Sequence, residues 1–85
     1  MANFKVLIKP SAIKELYKIP QKELPKITGR IQALSEDPRP TGCEKLSAQN
    51  AYRLRQGSYR IIYTIEDDKL IVLVIKVSHR RDVYR

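Results

Sequence analysis

Tyr52 to Tyr63 reads YRLRQGSYRIIY, and its spacing is that of two short strands. Tyr52, Leu54, Tyr59, Ile61 and Tyr63 alternate with Arg53, Arg55, Arg60 and Ile62. That period of two is expected where one face of a strand is buried. Between the two runs stands Gly57-Ser58, a Gly-X pair suited to a type II′ turn in which glycine supplies the positive φ. With those two as loop residues, Gln56 pairs with Tyr59, Arg55 with Arg60 and Arg53 with Ile62. Three guanidinium groups then share one face, two of them directly cross-strand. Like charges so placed cost a few tenths to about 1 kcal/mol. A hairpin that accepts this repulsion is expected to hold an anion, and phosphate suits the bidentate fork of arginine. The competing reading is a solvated face on a basic protein.

The chain has 85 residues, enough for one domain, taken as residues 1–85, that buries about 60–65% of its unfolded surface. A deep enclosed active site is not expected in so modest a core. Lys and Arg number 17 against 9 acidic residues, a formal net charge of +8. Attraction to nucleic acid, an anionic surface or an acidic protein follows. No apolar run approaches the roughly 20 residues needed to span a bilayer. The opening MANFKVLIKP has lysines in its apolar run and no small-residue cleavage site, so a secretory signal is not expected. Cys43 is the one cysteine, which excludes an intramolecular disulfide and fits a reduced, cytoplasmic setting.

Outward from the hairpin the elements follow in order. Asn3 to Lys9 reads as a first strand, with Phe4, Val6 and Ile8 on one face, Lys5 and Lys9 on the other, and Leu7 the exception to the alternation. Pro10 ends it, and Ser11 can cap a helix carrying Ile13, Leu16 and Tyr17 at helical spacing. Pro20 breaks that helix. A second begins near Gln21, accepts Pro25 near its start and lines up Leu24, Ile27, Ile31 and Leu34 on one face. Asp37-Pro38-Arg39-Pro40 stops it, and Thr41 to Ala51 is a polar connection. After the hairpin and the turn Glu66-Asp67-Asp68-Lys69, the run LIVLVIKV from Leu70 to Val77 reads as a central strand covered on both faces. The order β-α-α-β-β-β describes an α+β fold, a helical hairpin packed on one face of a small, mainly antiparallel four-stranded sheet. The chain closes on Ser78-His79-Arg80-Arg81-Asp82-Val83-Tyr84-Arg85, where Val83 and Tyr84 offer apolar surface to hold this basic segment against the sheet.

Several chemistries are excluded by residue type. One His and one Cys cannot make a zinc site of the usual kind. Three glycines, at 29, 42 and 57, leave no phosphate-cradling loop, and the carboxylates at 66–68 are explained by turn formation. No cofactor is implied. What remains is a cationic face, one imidazole and several tyrosines. These suffice for RNA cleavage by attack of the ribose 2′-OH on its own phosphate, which needs charge stabilisation and two proton transfers. Arginine serves the first need and not the second, because it stays protonated. His79 is the side chain that titrates near neutrality. Tyr52, Tyr59 and Tyr63 read as core, and Tyr84 as the tyrosine available to stack on a base or orient a substrate.

Taken together, the chain resembles the RelE/ParE toxin superfamily, and in particular its RelE-like branch. The resemblance runs over the lysine-flanked first strand, the helical hairpin ending near a Pro, YRLRQGSYRIIY, the turn EDDK, LIVLVIKV and HRRDVYR. It implies a toxin that cuts mRNA in the ribosomal A site and is silenced by a cognate antitoxin, here expected to present an acidic, helical segment. It also implies catalytic roles for Arg53 and Arg55 on the second strand, Arg60 on the third, Arg80 after the last strand and Tyr84 near the end. Arg53, Arg81 and Arg85 are further expected to contact RNA. The best-known RelE pattern has lysines where this chain has Arg53 and Arg55. An arginine is a poor proton acceptor, which raises the weight of His79, close to where some relatives carry a catalytic histidine. Two other readings remain: a ParE-like inhibitor of DNA gyrase on the same fold, and a non-catalytic RNA-binding module.

Overall fold

The hairpin forms in the register that its turn residues dictate. A computed structural model of the protein describes residues 3–46 and 50–79. In it β3 (Ala51–Gln56) and β4 (Tyr59–Glu66) pair antiparallel with Gln56 opposite Tyr59, Arg55 opposite Arg60 and Arg53 opposite Ile62. Gly57 has φ +60°, whereas Ser58 is not among the described residues of positive φ, as a type II′ turn requires.

Four strands were expected and five are found among the described residues. They are β1 (Lys5–Ile8), β2 (Glu44–Lys45), β3, β4 and β5 (Ile71–His79), with α1 (Pro10–Tyr17) and α2 (Leu24–Ala33) between β1 and β2. The sheet order is β1-β5-β4-β3-β2. β1 runs parallel to β5, and the other pairings are antiparallel. The extra strand comes from the polar connection 41–51. Two residues have too little periodicity to announce a strand, and Glu44 and Lys45 are placed only by pairing with Arg53 and Tyr52.

Both helices begin differently from expectation. Lys9, not Ser11, is the N-cap of α1, and it makes no side-chain capping bond. Pro10 occupies the first turn, where its fixed φ suits a helix and its missing N–H costs nothing. The second helix starts at Leu24, with Pro25 in its first turn, while residues 21–23 form a turn. The expected apolar stripe holds: Ile27, Ile31 and Leu34 are buried, and Leu24 packs against them. These join Leu54, Ile61, Tyr63, Ile65, Val72, Val74 and Val77 in one core between the helices and the sheet. Each such aliphatic side chain contributes about 1.5–3 kcal/mol by leaving water.

The last strand corrects two expectations. It spans Ile71–His79 rather than starting at Leu70, which sits in the preceding turn at φ +54°. It is also fully covered on one face only. Val72, Val74 and Val77 are buried, whereas Ile71, Leu73 and Ile75 are half-buried. Leu7, the expected exception in β1, points to that same outer side and is 41% exposed.

Beyond α2, residues 37–40 close the core. The buried hydroxyl of Tyr63 donates to the carbonyl of Pro38 at 2.8 Å, and its burial, with Cys43 alongside, pushes its pKa up. Arg39 donates from Nη1 and Nη2 to both carboxylate oxygens of Asp67, at 3.1 and 2.8 Å, and from Nε to the Tyr52 hydroxyl at 3.2 Å. The α2–β2 connection is thereby tied to the β4–β5 turn.

Two glycines test these backbone assignments in opposite directions. Gly57 is held at a positive φ that costs an L-residue roughly 1–2 kcal/mol, so Gly57→Ala is expected to destabilise by about that amount. Gly29 lies within α2 with open space where a Cβ would go. Gly29→Ala should therefore stabilise by up to about 1 kcal/mol. Thermal unfolding reads both, at about 4–8 °C per kcal/mol for a chain of this size.

Candidate functional site

The arginines occupy the face of the sheet turned away from the helices. This follows from strand alternation: Leu54, Ile61 and Tyr63 face the core, so Arg53, Arg55, Arg60 and Ile62 face outward. Arg55 is exposed, the side chain of Arg53 is 27% exposed, and Arg60 is 7% exposed. Arg60 is thus largely buried on this face.

The face also holds a carboxylate that sequence reasoning missed. β2 places Glu44 opposite Arg53, and Arg53 donates from Nε and Nη2 to Glu44 Oε1 at 3.2 and 2.8 Å. That hydrogen bond, then the charge of Arg53, and then those of Arg55 and Arg60, hold the Glu44 carboxyl below its ordinary value of 4.5. One anion therefore sits within reach of all three guanidinium fields and offsets part of their repulsion. The only clue in the sequence was an acidic residue in the connection before the hairpin, and its register belongs to an edge strand too short to read.

His79 is placed elsewhere. It pairs cross-strand with Tyr59, and the two rings meet edge to face with centroids 5.1 Å apart. Tyr59 packs against the core, so His79 stands on the helix side of the sheet, while its neighbour Ser78 lies opposite Arg60. The expected site is thus divided across the end of the sheet: Arg53, Arg55 and Arg60 share one face, and His79 lies around the edge. Arg80, Arg81, Tyr84 and Arg85 lie outside the described residues. Among the described residues no group of three or more His, Cys, Asp or Glu side chains is arranged to hold a metal ion.

Comparison with known proteins gives this arrangement its family. The family described as the ParE toxin of type II toxin–antitoxin systems, parDE, matches residues 6–84. The chain belongs to the RelE/ParE toxin superfamily. Among members of that superfamily, Toxin RelG of Mycobacterium tuberculosis is 30% identical over 77 residues, covering 88% of each chain. Of solved structures, a chain of the toxin–antitoxin complex RelBE2 from M. tuberculosis superposes with a TM-score of 0.81 at 26% identity, over 93% of this chain and 100% of that one. The isolated E. coli RelE toxin gives 0.77 at 27% identity, over 98% and 92%. A RelE/ParE-superfamily toxin with an arginine face screened by a glutamate follows from these observations.

Because the Glu44 carboxylate offsets the charge with which Arg53 would meet an anion, Glu44→Gln is expected to tighten binding of a polyanion such as a short polyphosphate to this face. It should also steepen the salt dependence of that binding, since one more phosphate contact becomes available. The ion pair has a pH signature as well. The folded pKa of Glu44 is lowered, so its contribution to stability is complete above the ordinary value of 4.5 and disappears as the pH falls through the lower folded value. Unfolding curves of the parent chain and Glu44→Gln should converge at acid pH.

Proposed function

We propose that this toxin is an endoribonuclease that cleaves mRNA in the ribosomal A site and so inhibits translation in the cytoplasm. The observation that carries this reading is the cross-strand pair Arg55–Arg60 beside Arg53, which concentrates fixed positive charge where a scissile phosphate can sit. In the reaction the ribose 2′-oxygen forms a bond to the adjacent phosphorus, and the bond from phosphorus to the 5′-oxygen breaks. A 2′,3′-cyclic phosphate and a 5′-hydroxyl result. The guanidinium groups stabilise the charge that builds on the phosphate oxygens. Arg80 and Tyr84 join them in this reading, as a further cation and a stacking or orienting tyrosine, and Arg81 and Arg85 contact the RNA.

The two proton transfers need groups other than arginine. On this chain they are His79, which carries the imidazole among the described residues, and Glu44, a carboxylate on the arginine face. The open face fixes a phosphate but does not by itself align the 2′-OH with it. In-line positioning accounts for several kcal/mol of barrier reduction, and the ribosome supplies it by holding the mRNA. Purified toxin is accordingly expected to cleave free RNA weakly or not at all.

The partner in this reading is a cognate antitoxin with an acidic, helical segment, which suits a net charge of +8. Toxin–antitoxin complexes of RelE and RelB proteins are among the similar structures.

Toxicity and ribosome-programmed cleavage of substituted chains test the assignment. Arg55→Ala removes an exposed side chain and should leave the fold intact while lowering cleavage by about 10²–10³, the cost of about 2.7–4 kcal/mol for losing one transition-state donor. Arg60→Ala should lower it at least as far, with thermal unfolding checking the effect of removing a buried side chain. His79→Gln should flatten the pH–rate profile between about pH 5 and 8 if the imidazole moves a proton. In Glu44→Gln a loss of rate despite tighter RNA binding marks the carboxylate as the acceptor. Full toxicity of both Arg55→Ala and Arg60→Ala, together with DNA damage rather than arrested translation, would replace this reading by gyrase inhibition.

A further inference from the structure

We propose that the cleft between the end of α1 and the free edge of β5 is a subsite for one unstacked nucleobase of single-stranded RNA. The cleft arises because β1 is short. Its last link to β5 is the bond from Lys9 N–H to the Val74 carbonyl at 2.9 Å. From there onward β5 is paired with β4 on one side only. α1 crosses this open edge, and Glu15 Oε1 accepts the Val77 N–H at 2.8 Å. The chain then leaves the helix through Lys18 and Ile19, and a cavity of about 210 Å³ remains between these residues and the strand.

The size suits a single heterocycle, since sites for drug-sized ligands run to about 300–1,000 Å³. The lining separates the classes of ligand. Ile19, 6% exposed, supplies an apolar wall, and Tyr59 and His79 supply rings at 84° to one another. A flat base can pack on such surfaces; a sugar phosphate gains nothing from them. Lys18 carries a positive charge with no ion-pair partner among the described residues. Lys76 is drawn instead to Glu15 Oε2, at 3.5 Å. The Glu15 carboxylate repels a bare anion but retains lone pairs for an exocyclic amino group. Adenine, cytosine and guanine present such a donor. Uracil does not, and its carbonyl oxygens would face the carboxylate.

The position suits a polynucleotide. Tyr59 and His79 adjoin Arg60 and Ser78 on the same two strands, so the cleft and the arginine face meet across the end of the sheet. A phosphate on the arginines leaves the neighbouring base free to enter the cleft. The subsite deepens the RNA-cleaving reading and rests on it for its purpose, but binding alone tests it.

Amide shifts of the full-length chain are to be followed by NMR during titration with AMP, CMP, GMP, UMP and ribose 5-phosphate at millimolar concentration. The expected result is saturable movement of the Lys18, Ile19 and Val77 amides with AMP, CMP and GMP. UMP should bind several-fold more weakly, and ribose 5-phosphate should leave these amides unmoved. Lys18→Ala, a change at an exposed position, should weaken the nucleotides several-fold, and Arg55→Ala should leave the movement of these three amides in place. Equal movement with ribose 5-phosphate, or none at these amides with any nucleotide, overturns the subsite. Base binding retained by a chain that fails to cleave would leave the subsite standing and remove the nuclease reading. Cleavage without base binding would do the reverse.

Discussion

A register shift in the pairing of β4 with β5 governs how this molecule is arranged. Tyr63 faces Val74 and Ile62 faces Lys76, so Ile75 has no partner on β4. Without that extra residue strict alternation would send Val77 to the outer face whenever Val72 and Val74 point inward. The bulge resets the alternation and lets all three valines reach the helices. It also decides which side of the sheet each later residue occupies. His79 is carried to the helix side with Tyr59, and Ser78 to the arginine side with Arg60. One inserted residue thus completes the core and separates the imidazole from the guanidinium groups.

Electrostatics shape the surface locally rather than through the total charge. The chain carries a formal +8, yet acidic side chains lie where they tie elements together. Arg39 and Asp67 join the connection after α2 to the β4–β5 turn, and Glu44 ties the edge strand β2 to Arg53. Glu15 covers a backbone N–H that β1 leaves open. Exposed ion pairs contribute little to stability on average. Their value here is geometric: each fixes a segment that has few apolar residues of its own to hold it. Tyr63 adds a buried tether through Pro38, and since its burial disfavours the phenolate, that hydroxyl stays a donor.

Membership of the RelE/ParE superfamily sets these features in a frame of shared fold and divergent surface. The match to RelG and to the toxin folds covers most of the chain, at identities that conserve a core more readily than a site. Guanidinium groups do not release protons in the working range of pH, so the arginine face keeps its charge. Two other ionisable side chains stand on opposite sides of the sheet end. Glu44 is within the field of the arginines, and His79 is next to the cleft.

The sequence by itself determined the α+β class, the helical stripe, the hairpin and its register. Each of these rests on a local signal: a period of two, a period near 3.6, or a Gly-X pair demanding one positive φ. Tyr63 could be assigned to the core, and the arginines to one shared face, from alternation alone. Tertiary structure decided the rest. β2 exists because Glu44 and Lys45 find partners in β3, and two residues carry no periodicity to read. LIVLVIKV has a single polar position, Lys76, and the bulge puts it out of phase with Val72 and Val74, so the half-exposed side and the bulge were hidden. Leu70 was drawn into the expected strand by its hydrophobicity, whereas the turn before β5 required a left-handed residue there. The site divides for the same reason. Positions 55, 60 and 79 are close along the sheet, but the face on which a side chain emerges depends on pairing between strands, which the identity of the residue does not carry.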